Sequence, residues 1–150
     1  MPEPTTQRTP ITIILAEDDD GHALLVEKNL RRAGMGDRIF RFRGGAETLE
    51  YLWREDPGNA RSTSPRVLLL DLNMPGVDGL EVLQRLRHDQ RTSTMPVIVL
   101  STTHTSAEIQ RCYELGCNAF VTKPVDYAQF TKSIERLAGF FAIMELPAGR

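Results

Sequence analysis

Leu68-Leu69-Leu70-Asp71-Leu72-Asn73-Met74-Pro75-Gly76 is an apolar run that delivers one carboxylate to its C-terminal end. A strand covered on both faces of a parallel sheet reads as such a run, and ligand sites in open α/β sheets lie where strands end. Asp71 is therefore placed like a reactive group. Ile11 to Ala16 ends in the same way at Glu17-Asp18-Asp19-Asp20, Pro96 to Leu100 at Ser101-Thr102-Thr103, and Ala119 to Thr122 at Lys123-Pro124. If the four runs are parallel strands, their ends bring acids, a hydroxyl and an ammonium to one edge of one sheet.

Between these runs the spacing is helical. Gly21 to Ala33 carries Ala23, Val26, Leu30 and Ala33 on one stripe, with Gly34 as a stop and Asp20 as the expected N-cap. A short strand at Arg38 to Phe42 precedes a helix from about Ala46 to Trp53, and Arg54 to Ser64 reads as a long exposed loop. Leu80, Val82, Leu83 and Leu86 mark a third helix ending near His88, Thr105 to Leu115 a fourth capped by Gly116, and Tyr127 to Phe141 a fifth. Strands alternating with helices in this rhythm predict βαβ units with right-handed crossovers. The expected fold class is α/β: a (βα)5, doubly wound, five-stranded parallel sheet with helices on both faces.

A chain of 150 residues, 41% hydrophobic and 25% charged, has the composition of one globular domain and no room for a second full one. A net charge of -2, with Lys and Arg scattered, argues against a nucleic-acid or anionic-membrane surface. Met1 to Pro10 lacks the apolar centre of a secretory signal and is expected to be a short disordered start, in a cytoplasmic protein. Cys112 and Cys117 make neither a disulfide framework nor a zinc site and are read as packing residues.

Glu17, Asp18 and Asp71 converging with Lys123 would repel one another until one carboxyl takes up a proton or a cation neutralises the group. A hard ion held by carboxylates and waters fits magnesium best. A carboxylate nucleophile beside magnesium suits phosphoryl transfer, with Lys123 as a second cation and the Ser101 hydroxyl as a hydrogen-bond donor. The product would be an aspartyl phosphate. Taken singly, each residue has an ordinary reading: Asp19 and Asp20 as solvated turn or cap residues, Ser101 as a helix-entry hydroxyl, Lys123 as a surface lysine, Phe120 as a core aromatic. The joint occurrence, in order, at the ends of four strands carries the specificity.

Those residues resemble the receiver domains of two-component response regulators, the CheY-like superfamily, over roughly Ile11 to Phe141. The motifs are Glu17-Asp18, Asp71-Leu72-Asn73-Met74-Pro75-Gly76 with Gly79, Ser101-Thr102 and Lys123-Pro124. The resemblance implies a flavodoxin-like receiver over residues 11–141, after a segment 1–10 and before a tail 142–150. It implies Asp71 as phospho-acceptor, with Asp18, Asp71 and the main-chain carbonyl of Asn73 as direct magnesium ligands and Glu17 acting through water. Ser101, Thr102 and Lys123 would contact the phosphoryl group, in a domain that assists its own phosphorylation and dephosphorylation without being an enzyme. Ser101 and Phe120 would form the switch: Phe120 moves inward when Ser101 is drawn to the phosphoryl group, altering the fourth helix, fifth strand and fifth helix. Phe120 lacks the hydroxyl of the more common tyrosine, so packing alone would hold its outward state.

The loop at Arg54 to Ser64 and the tail also resemble the stand-alone regulators paired with bacterial phytochromes, which implies a sensor histidine kinase, a bacteriophytochrome, as donor. Output is then expected through protein contacts or phosphate traffic to another protein. Phe130, Ile134, Leu137 and Phe141 form the core stripe of the last helix by spacing, leaving Phe140, Ile143, Met144 and Leu146 over. Those four are read as a homodimer surface, together with the fourth helix, fifth strand and fifth helix. Ala23-Leu24-Leu25-Val26 cannot all face the core, which offers an apolar contact on the first helix. The competing functions are a magnesium-dependent phosphatase with an aspartate nucleophile and a receiver that only binds partners. The first would need a second acid where Asn73 stands, and an amide cannot act as a general acid; the second would lack site residues, and none is missing. No Gly-rich nucleotide loop occurs.

Overall fold

The computed structural model describes residues 11–32, 34–35, 38–54, 66–102, 105–123, 128–129, 131–133 and 135–136. The expected start at 1–10, nearly all of the loop at 54–64, the tail at 142–150, and Phe130, Ile134, Leu137, Phe140 and Phe141 lie outside the described residues.

Five runs form strands: β1 (Thr12–Ala16), β2 (Arg38–Phe42), β3 (Arg66–Asp71), β4 (Val97–Ser101) and β5 (Ala119–Thr122). All neighbours pair in parallel in the order β2-β1-β3-β4-β5. Parallel pairing requires crossovers, and these are supplied by α1 (Asp20–Arg32), α2 (Gly45–Trp53), α3 (Gly79–His88) and α4 (Ser106–Glu114). Positions 128–129, 131–133 and 135–136 are helical and follow β5; they are labelled α5 here. The order is that of the flavodoxin-like sheet, whose direction of winding reverses between β1 and β3. Among the described residues no helix is long and apolar enough to cross a membrane.

Every residue of β1 and β4 is buried, which explains why these strands read as unbroken apolar runs instead of alternating ones. Alternate residues serve opposite faces. Ile13, Leu15, Val67, Leu69, Ile98 and Leu100 pack with Ala23, Val26 and Leu30 of α1. Ile14, Ala16, Leu68, Leu70, Val97 and Val99 pack on the other face with Leu49 and Leu52 of α2, Val82, Leu83 and Leu86 of α3, and Cys112. Both cysteines are buried, as a packing role requires. The edge strands β2 and β5 are only partly covered.

The helix termini differ from expectation in one place. Asp19, not Asp20, caps α1: its Oδ1 accepts the His22 N–H at 2.9 Å, while Asp20 is the first helical residue. On α1, Leu25 turns inward and Leu24 is the exposed apolar residue, at 66%. Asp78 caps α3 by accepting the Glu81 N–H at 3.0 Å, and Thr105 caps α4 by accepting that of Glu108. Gly116 ends α4 at φ 106, the left-handed conformation that favours glycine.

Candidate functional site

Each polar group of the site lies at, or just past, the last rung of a strand. Asp71 is the final residue of β3 and pairs in register with Leu100. Glu17 directly follows β1, and its N–H donates to the Phe42 carbonyl at 3.0 Å, carrying the β1–β2 ladder one step further. Lys123 directly follows β5, and its N–H donates to the Ser101 carbonyl at 2.6 Å. Parallel register thus sends four chain ends to the same edge, at the point where the winding reverses.

The side chains meet there. Carboxylate oxygens of Glu17, Asp18 and Asp71 lie within 4.8 Å of one another. The Lys123 ammonium forms an ion pair with Glu17 Oε1 and stands 3.5 Å from Asp71 Oδ1. Glu17, Asp71 and Lys123 are 0%, 4% and 5% exposed, so this is a buried charge cluster and not a solvated acidic turn. Main-chain donors help to hold it: the Asp19 N–H reaches Glu17 Oε2 at 3.1 Å, and the Asn73 N–H reaches Asp71 Oδ1 at 3.3 Å.

Burial pushes the Asp71 carboxyl from 3.8 up to about 7; the Lys123 ammonium opposes the rise, the Glu17 carboxylate adds to it, and the Asn73 N–H opposes it. Fully ionised, three carboxylates against one ammonium leave two uncompensated negative charges. A divalent cation with a preference for oxygen ligands would neutralise that excess and return Asp71 to its charged form. The donor set therefore suits such an ion.

The remaining expected residues fall around this centre. Ser101 ends β4 and is fully buried, whereas Thr102 is exposed. Asn73 is exposed in the turn after β3. Phe120 sits in β5 opposite Val99 and packs, partly buried, against the core on the α2–α4 face. Ile143, Met144 and Leu146, with Phe140, lie outside the described residues. The turn after β3 brings α3 back against the site: the Gly79 N–H donates to the Leu72 carbonyl at 3.1 Å, and a Cβ on Gly79 would fall 2.6 Å from the Asp71 carbonyl oxygen.

One residue at the site was not singled out in the sequence. Arg41 of β2 donates from Nε to the Glu17 carbonyl at 2.9 Å and from Nη1 to Asp20 Oδ1 at 2.8 Å. Asp20 also meets Arg43 Nη2 at 2.7 Å. The available signal was the arginine alternation in Arg38-Ile39-Phe40-Arg41-Phe42-Arg43, which composition alone reads as scattered charge.

Known proteins share this architecture. A receiver domain from Rhodospirillum rubrum superposes with a TM-score of 0.84 at 42% identity, over 93% of this chain and 99% of that one. The phosphorylated cyanobacterial phytochrome response regulator RcpA gives 0.81 at 31% identity, over 91% and 97%. Response regulator Rcp1 of Synechocystis is 29% identical over 140 residues, 93% of this chain and 95% of that protein. Its Mn2+-bound form superposes with a TM-score of 0.81, over 93% and 99% of the two chains. The family model of the response regulator receiver domain matches residues 13–135, a span that holds β2 to β5, all of β1 but Thr12, and the whole acidic cluster. This chain belongs to the response regulator receiver domain family.

Proposed function

We propose that Asp71 accepts a phosphoryl group from the phosphohistidine of a sensor kinase, a bacterial phytochrome, and that the modified domain signals by protein contacts. The observation that carries this reading is the burial of Asp71 between the Glu17-Asp18 pair and Lys123, with an ammonium already 3.5 Å from its carboxylate. The likeness to RcpA, a cyanobacterial phytochrome response regulator, supports the choice of donor.

In the transfer, an Asp71 carboxylate oxygen forms a bond to phosphorus as the bond from phosphorus to the kinase histidine nitrogen breaks. The imidazole keeps the electron pair and takes up a proton from solvent. Asp71 must be ionised to attack, and its burial opposes that. Asp18, Asp71 and the Asn73 carbonyl, with Glu17 behind them, would hold a divalent ion, magnesium, which when bound would supply positive charge to the carboxylate and to the phosphoryl oxygens. Lys123 places its ammonium against another phosphoryl oxygen, and the Ser101 hydroxyl, with Thr102, donates to a third. These groups act as much on the loss of phosphate as on its gain, so the domain assists both.

The readout is local. The phosphoryl group brings charge and three acceptor oxygens, which draw Ser101 and the β4–α4 turn toward Asp71. Phe120, on the neighbouring strand, then repacks inward and alters the α4–β5–α5 surface. That surface, with Phe140, Ile143, Met144 and Leu146, forms a homodimer in this reading.

Incubation with acetyl phosphate and magnesium, followed by intact-mass measurement, should add one phosphoryl group to the wild type and none to Asp71→Asn. Equal labelling of both proteins would remove Asp71 as the acceptor.

A further inference from the structure

The acidic turn between β1 and α1 is gripped from outside the pocket. At its first residue, Glu17, both main-chain groups are engaged by β2: the N–H by the Phe42 carbonyl at 3.0 Å, the carbonyl by Arg41 Nε at 2.9 Å. At its last residue, Asp20 Oδ1 accepts from Arg41 Nη1 at 2.8 Å. One guanidinium therefore spans the turn end to end, and Asp18 lies between the two grips. The Arg41 side chain is 19% exposed, against 61% for Arg43, which touches this turn at Asp20.

We propose that Arg41 is a positioning residue for the acidic pocket: by bridging the Glu17 carbonyl and the Asp20 carboxylate, it fixes the turn that carries Asp18 and so sets the affinity for the divalent cation. The inference rests on the reading of Glu17, Asp18 and Asp71 as a cation site.

Three physical arguments support the bridge. A planar guanidinium presents its donors at fixed angles, so two acceptors held by one fork are fixed relative to each other, which a single ammonium cannot do. A turn ordered before the ion arrives loses less conformational entropy on binding than a loose one. The bridge also keeps the Asp20 carboxylate engaged with Arg41, so that it does not compete with Asp18 for the ion. The register makes this specific to β2: Ala16 pairs with Phe42 and Leu15 with Arg41, which sets Arg41 beside the point where the acidic turn leaves the sheet.

The test is Mn2+ binding to the full chain, followed by electron paramagnetic resonance, with metal-free thermal unfolding measured alongside. Relative to wild type, R41A should bind Mn2+ about tenfold more weakly, the low end of what loss of an outer-sphere partner does to metal affinity. R41K, with one donor centre, should fall between, about threefold weaker. R43A, which removes a neighbouring charge but leaves the bridge, should stay within about twofold, as expected for an exposed pair. Metal-free melting should be nearly the same in all of them, which a merely structural role would not allow. Wild-type affinity in R41K, or equal losses in R43A and R41A, would overturn the inference; if R41A does not fold, R41K against R43A decides. A wild-type protein that takes up no Mn2+ would instead overturn the reading of the pocket, and the inference with it.

Discussion

Asp71 is under two opposed demands. As the proposed acceptor it would have to carry charge, and as a buried carboxyl beside Glu17 it is pushed up to about 7. Because its folded pKa lies above the unfolded value of 3.8, the native state holds the extra proton between the two. That contribution to stability is complete below about pH 4 and is lost as pH rises through about 7. The metal-free protein should therefore lose thermal stability across this window. Asp71→Asn should show a flatter profile and, at about pH 8, greater stability by up to a few kcal/mol. Calorimetry in a chelator measures both, and a wild type that gains stability with rising pH would contradict the argument. Adding a divalent ion should stabilise the wild type at pH 8 more than the Asn variant. Asp71, Glu17, Asp18 and Lys123 were legible because each interrupts or ends an apolar run. Arg41 was not, since its role depends on which residue of β2 lies opposite Leu15, and no periodicity reveals that register. Asp19 caps α1 where Asp20 was expected, because adjacent acids are equally good caps in sequence, and Asp20 is instead engaged by Arg41 and Arg43.

The element that most closely constrains the site is the entry of α3. Gly79 is needed for proximity, not for an unusual backbone angle: a Cβ there would meet the Asp71 carbonyl oxygen at 2.6 Å and the Leu72 Cα at 2.7 Å. Both are backbone atoms, so neither can swing aside. Gly79→Ala must push α3 away from the end of β3, at a cost of about 1–3 kcal/mol for overpacking. Since the clash falls on the main chain of Asp71 itself, acetyl-phosphate labelling should slow as well. Denaturant unfolding and labelling rate together check this, and an Ala variant with unchanged stability would show that the turn yields more easily than its geometry implies. Helices α1 to α4 and all five strands were legible to within a residue or two, because caps and apolar spacing agree at each. The gain of Arg66 and Val67 at the start of β3 is the largest difference from the quoted run, and pairing with Thr12 and Ile13 of β1 explains it. A strand extends as far as its neighbour offers partners, which its own residues do not state.

At the scale of the whole molecule the two sheet edges differ. β2 carries Arg38 and Arg41 with Arg43 just beyond, and charge on an edge strand discourages pairing with another chain. β5, Ala119–Thr122, carries no charge and is half-buried along its length, and Tyr113 on the neighbouring α4 is 48% exposed. The uncharged edge strand is also the one that α5 follows in sequence, and that sequence continues into Phe140, Ile143, Met144 and Leu146. Parallel winding was legible from the alternation of strands and helices, but the placing of β5 at an edge follows from the order β2-β1-β3-β4-β5, which apolar spacing alone does not fix. Given that order, the proposed self-association would use the α4–β5–α5 side, where the proposed switch would also be felt. Burying side chains of this size contributes about 1.5–3 kcal/mol each when coverage is complete. Ending the chain after Phe141 removes three of the four leftover apolar residues, so the proposed dimer should weaken by at least about tenfold, the factor that 1.4 kcal/mol represents. Sedimentation velocity over a concentration series reads this directly. An unchanged dimer in the shortened chain would take the tail out of the interface and leave α4, β5 and α5 to account for any association.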